Sequence, residues 1–156
     1  MPVTNLENFI KLSVPFVNEY YKGVVGIIVL ENLIFQDLEN HLKQFKLTYP
    51  QFNILRILKG QYPNAVELST IKERLIYKHS DVSRLIDRLV RLQWIEKKTI
   101  ENNKRKLTIS LSELGYELIN SIDISHDGFK SLASNLSFEE MQQFNFLVDK
   151  ILEKKA

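Results

Sequence analysis

The sequence predicts a mainly α fold with a small β wing, on three observations. Apolar residues recur at three- and four-residue spacing toward both ends, as in Leu30, Ile34, Leu38 and Leu42 and again in Met141, Phe144, Val148 and Ile151. Between them lie short helical patterns opened by capping sequences. Two strand-like runs follow, Trp94 to Ile100 and Lys106 to Leu111, joined by the polar stretch from Glu101 to Arg105. Short helices followed by a charged hairpin describe a winged helix-turn-helix. The expected organisation is one domain over 1–156, with the winged unit at about 45–115 and helical dimerisation regions at about 1–44 and 116–156.

The first segment, roughly Thr4 to Tyr21, is amphipathic, and Pro15 should bend or break it. The second runs from about Val24 to Phe45. Its apolar band is broad, with Ile27, Ile28 and Phe35 flanking the Leu30 stripe. Such width suits a helix buried between its own domain and a second subunit. Leu47-Thr48-Tyr49-Pro50-Gln51-Phe52 is a strong helix start, with Thr48 and Gln51 forming a capping box and Leu47 and Phe52 at the staple positions. Gly60 should end that helix. Val66 and Leu68 alternate as a very short strand, and Thr70 with Glu73 reads as a second capping box opening a helix from Ile71 to Ile76.

The next helix spans Ser80 to Leu92 and buries Val82, Leu85, Ile86 and Leu89. After the wing, Ser112 caps a helix expected to reach about Ala133. Ser137 and Glu140 form a third capping box before the last helix. An apolar stripe like that of the last helix belongs to a core or a subunit interface.

The chain has 156 residues and a net charge of only +2. The distribution matters more than the total. Between Lys78 and Ser110 nine basic residues face four acids, so a basic segment sits on a mildly acidic body. That is the footprint of a surface that meets phosphate, although a solvated charged face has the same composition. There is no cysteine, which removes disulfides and thiolate metal sites and is compatible with a reducing cytoplasm, the expected location. The start of the chain does not read as a signal peptide. The most apolar run, Val24 to Leu30, is about a third of a membrane span, so no membrane partner is expected. His41, His79 and His126 are scattered, with no two at ligand spacing on one helix. No phosphate loop, dinucleotide turn or nucleophile elbow is present, so no cofactor and no enzymatic activity are expected.

Three stretches resemble one family. Leu47 to Leu55 looks like the "LTxxQfxvL" start of the MarR regulators. Ser80-Asp81-Val82-Ser83-Arg84-Leu85-Ile86-Asp87-Arg88-Leu89 looks like their recognition helix, and Asn103-Lys104-Arg105 with Leu111-Ser112-Glu113-Leu114-Gly115 looks like their wing signature. The resemblance covers about Phe45 to Gly115. It implies a homodimer, pseudo-palindromic duplex DNA sites and control by a small anionic or phenolic effector. Three positions depart from the pattern: Lys72 stands for a small residue, Gln93 for glycine, and Asn103 for the wing aspartate.

The expected DNA contacts are His79, Ser80, Asp81, Ser83, Arg84 and Arg88 from the helix and Asn103, Lys104 and Arg105 from the wing. The start of the second helix of a helix-turn-helix enters the major groove. Arg84 there can reach guanine or phosphate. Arg88 is as well explained by an acid partner on its own domain. Asp81 would repel phosphate and reads first as a helix N-terminal charge, then as a cytosine reader. Arg105 is expected to be the wing's main DNA contact, in a wing that Asn103 leaves loose. Tyr20, Tyr21, Phe35 and Tyr49 are the candidates for an effector cleft, and core packing explains them equally. A winged-helix module that binds protein without DNA is the alternative; basic residues on both helix and wing weigh against it.

Overall fold

The structure, a computed structural model, describes residues 5–77, 81–100, 103–122 and 134–153, with backbone alone at residues 100 and 103–105. In chain order the elements are α1 (Leu6–Phe9), α2 (Glu19–Lys43), α3 (Tyr49–Lys59), β1 (Val66–Glu67), α4 (Leu68–Arg74), α5 (Val82–Arg91), β2 (Ile95–Ile100), β3 (Asn103–Leu111), α6 (Glu113–Ser121) and α7 (Phe138–Leu152). They divide into two compact units, residues 1–37 with 129–156 and residues 38–128. No helix among the described residues is long and apolar enough to cross a membrane.

The first unit corrects the expected opening. Among the described residues the Thr4 to Tyr21 segment is broken into a helix of one turn, α1, and the first residues of α2, and the break begins well before Pro15. Lys11 takes a left-handed φ of 54°, and the Lys11 and Leu12 N–H groups bond back to Asn8 and Glu7. That pattern is a Schellman turn, which satisfies the last carbonyls of a helix and stops it. The chain restarts at Asn18, whose Oδ1 accepts from the Tyr21 N–H at 2.8 Å, so α2 begins before Val24. Lys22 and Glu7 pair at 2.9 Å across α1 and α2. The Lys22 ammonium holds the Glu7 carboxyl below its ordinary range by hydrogen bonding. A cavity of about 300 Å³ lies between these helices, lined by Leu6, Phe9, Gly26, Val29, Leu30 and Leu33.

The second unit contains the core. Phe52, Ile54, Leu55 and Leu58 of α3 meet Ile71 and Leu75, Val82, Ile86 and Leu89 of α5, and Ile95, Ile109 and Leu111 of the sheet. The sheet is antiparallel in the order β1-β3-β2. Val66 pairs with Ile109, and Ile95 pairs with Leu111, so the inward residues of all three strands share one face. Gln51 accepts from the Thr48 N–H at 3.0 Å, as a capping box requires. Leu47 and Phe52 are both buried. Glu39 of α2 accepts from the Tyr49 N–H at 2.9 Å, tying the start of α3 to the preceding helix.

Three boundaries differ from expectation. α4 starts at Leu68 with Glu67 at its N-cap, so Thr70 lies inside the helix and no capping box forms with Glu73. The strand hands over directly to the helix because Val66 and Glu67 are pinned to β3, and the earlier start turns Ile71 and Leu75 into the core. β3 begins at Asn103 instead of Lys106, since Asn103 pairs with Ile100. α6 ends at Ser121, where Ile122 becomes extended and buried; residues 123–133 of the longer helix expected there lie outside the described residues.

Candidate nucleic-acid interface

α5 is strongly two-faced. Val82, Ile86 and Leu89 are buried, whereas Ser83, Arg84, Asp87, Arg88 and Arg91 are exposed. With 3.6 residues per turn, Arg84, Arg88 and Arg91 line one solvent-facing stripe. The buried stripe packs on α3 and β2, so the exposed one faces away from the core. Asp81 is the N-cap: its Oδ1 accepts from the Arg84 N–H at 3.3 Å. Its other oxygen, Oδ2, lies 3.0 Å from Arg84 Nε. The first role read for Asp81, a helix N-terminal charge, matches this geometry.

The end of α5 joins helix to wing. The Gln93 N–H bonds to Val90 O at 2.9 Å and the Trp94 N–H to Leu89 O at 3.1 Å, a Schellman turn with Gln93 at φ 60°. From there Ser112 ties the far strand back. Its N–H donates to Trp94 O, its hydroxyl donates to Gln93 O at 2.7 Å, and its Oγ accepts from the Gly115 N–H at 2.9 Å. Gly115 packs so closely that a Cβ would stand 1.9 Å from Trp94 O. Trp94 itself packs against the core.

Sequence reasoning assigned no role to Lys97, Lys98 or Lys106; the structure gives each an acid partner. Lys97 Nζ pairs with Asp87 Oδ1 at 3.0 Å, bridging β2 to α5. Lys106 Nζ meets both oxygens of Glu67, at 3.0 and 3.3 Å, bridging β3 to the start of α4. Hydrogen bonding from Lys106 holds the Glu67 carboxyl below its ordinary range. Lys98 pairs with Glu96 on its own strand. Arg88, by contrast, has no acid partner among the described residues. The two bridges join positions 10 and 39 residues apart, which no local pattern reports.

His79 and Ser80 lie outside the described residues, and the backbone of Asn103, Lys104 and Arg105 opens β3. Phe35 is not brought to Tyr20 and Tyr21: it sits on the same helix, roughly 21 Å beyond Tyr21 along its axis at 1.5 Å per residue. Tyr20 is 90% exposed. Tyr49 belongs to the other unit, against the rings of Phe52 and Tyr77, and burial pushes its hydroxyl pKa up.

A family model for transcriptional regulators of the SarA/Rot type matches residues 37–122, from the end of α2 through α6. The chain belongs to the SarA/Rot family of transcriptional regulators.

Two relatives of this SarA/Rot regulator are HTH-type transcriptional regulators. The HTH-type transcriptional regulator PecS of Dickeya dadantii is 28% identical over 121 residues, 76% of this chain and 73% of the relative. The HTH-type transcriptional regulator MgrA of Staphylococcus aureus is 29% identical over 110 residues, 70% of this chain and 73% of its own length. Among solved structures, a MarR-like transcription regulator from Bacillus cereus superposes with a TM-score of 0.77 at 20% identity, over 89% of this chain and 100% of the other. MepR of Staphylococcus aureus, solved as a DNA complex, superposes with a TM-score of 0.70 at 23% identity, over 90% and 99%. The SarA/Rot chain thus has the MarR-type winged-helix fold that its motifs predicted.

Proposed function

We propose that this SarA/Rot regulator binds pseudo-palindromic duplex DNA as a homodimer, in the cytoplasm, with α5 in the major groove and the wing on the adjacent backbone or minor groove. The observation that carries the reading is the solvated stripe of Ser83, Arg84, Arg88 and Arg91 on a helix whose other face buries Val82, Ile86 and Leu89 in the core. A helix so mounted presents its first residues to base edges and its later arginines to phosphate. On this reading His79, Ser80, Asp81, Ser83 and Arg84 stand at the reading end. Arg88 contacts the backbone, and Asn103, Lys104 and Arg105 carry the wing contact, Arg105 foremost. MepR, of the same fold, was solved on DNA.

The dimer rests on α7, which has no buried residue although Phe138, Phe146, Leu147, Ile151 and Leu152 are exposed along it. Exposed apolar patches of this size mark interfaces. A small anionic or phenolic effector belongs to the same reading; a panel of small phenolic acids raising the unfolding midpoint would support it.

Selection of bound sequences from random duplex DNA tests the proposal. The expected result is a pseudo-palindrome whose affinity falls steeply with salt, as counterion release requires. Arg84→Ala should relax the selected sequence, and Lys104→Ala should weaken binding to all duplexes while lowering the salt slope by about one unit. Equal affinity for selected and random duplexes, with no salt slope, overturns it and favours a protein-binding module.

A further inference from the structure

We propose that Asp81 is a specificity-determining residue that positions Arg84 for a base and turns it away from phosphate. The inference rests on the DNA-binding reading above and deepens it. One carboxylate does two things at the start of α5. Oδ1 caps the helix by accepting from the Arg84 N–H, and Oδ2 engages Arg84 Nε at 3.0 Å. Both contacts come from one short, locally fixed side chain. The guanidinium is therefore held at its inner nitrogen, and its two terminal amino groups remain for another acceptor. The pair stands in solvent, with the Arg84 side chain 89% exposed, so no core contact accounts for its geometry.

The arrangement favours one class of DNA acceptor. A fork held through Nε can still present two parallel N–H groups to O6 and N7 of guanine. The phosphate backbone is a poorer partner, because the Asp81 carboxylate stays beside the fork it holds and repels the phosphate charge. Arg84 alone would bind any duplex through phosphate; Arg84 with Asp81 discriminates. Rejecting the wrong acceptor by an unfavourable charge is a common route to specificity. Arg88, one turn further along and without an acid partner among the described residues, is left to serve phosphate.

The test is a double-mutant cycle on the full-length protein. The selected duplex and a random duplex of equal length are titrated at one salt concentration with wild type, Asp81→Asn, Arg84→Ala and the double variant. Asparagine caps helices about as well as aspartate, so folding is retained; Asp81→Ser serves as a second variant that keeps a cap without the charge. We expect Asp81→Asn to bind random duplex more tightly and to lower the ratio of selected to random affinity roughly threefold to tenfold, a fraction of one bidentate base contact. The loss should fall at the base pair that Arg84→Ala also relaxes. In the Arg84→Ala background the same change should move the ratio less than about twofold. An unchanged ratio in Asp81→Asn, or an equal drop in both backgrounds, overturns the inference while leaving DNA binding intact. A wild type that shows no preference for any duplex overturns both.

Discussion

Gln93 and Gly115 stand at the two contacts that set the wing against α5, and each carries a prediction. Gln93 occupies the C′ position of a Schellman turn at φ 60°, where a side chain crowds its own backbone. Gln93→Gly should therefore raise stability by about 1 kcal/mol in a denaturant titration; a loss of stability would show that the glutamine side chain has a partner there. Gly115 has the opposite constraint. A methyl group would meet Trp94 O, a backbone atom held by the Ser112 N–H, and neither can swing aside. Gly115→Ala should cost about 3 kcal/mol or more, as overpacking against backbone does. A cost under 1 kcal/mol would mean that the strand and helix separate freely. Gly115 closes the wing motif and Gln93 stands where the family pattern has glycine, yet only the structure shows that one position strains its side chain and the other admits none.

At the scale of elements, what was legible depended on whether the signal was local. The start of α3 was read correctly because Leu47, Thr48, Gln51 and Phe52 form its cap and staple within six residues. Helix ends were harder. α1, α2 and α5 all close in Schellman turns, at Lys11, Lys46 and Gln93, none of which is the glycine that usually marks such a stop. The wing's anchors were not legible either, since Lys106 meets Glu67 across 39 residues of sequence. That pair has a pH signature. Lys106 lowers the carboxyl's folded pKa, so its stabilising contribution is complete above the ordinary carboxylate range. It is lost as pH falls through the lowered value. Unfolding followed from neutral pH into acid should show wild type losing more stability than Glu67→Gln, which has nothing to protonate there. Parallel losses in the two proteins would contradict the assignment.

The whole molecule is lopsided in how it buries its apolar residues. The winged unit hides nearly all of its core, whereas α7 buries none of its residues and the first half of α2 exposes Tyr20, Tyr21, Val24, Ile27 and Ile28. The sequence foretold this imbalance through the breadth of its terminal apolar bands, although it could not give the extent of the helices. If a second copy covers these faces, the unfolding midpoint should rise with protein concentration, because association stabilises by mass action. Phe146→Glu with Ile151→Glu should then yield a monomer by light scattering that keeps the helical signal of residues 38–128. Phe146 is 64% exposed, so the charges cost a lone chain little. A midpoint independent of concentration, or a dimer that survives both charges, would place the interface elsewhere.

If a second copy covers α7, that pairing also bears on dosage. Below the dimer's dissociation constant, the number of paired chains grows as the square of the number made. Halving synthesis would then leave about a quarter of the paired form, and a modest change in expression would become a steep change in operator occupancy. The same helix would thus set a threshold on how many chains a cell must hold before its target genes respond, a property of abundance that requires no effector.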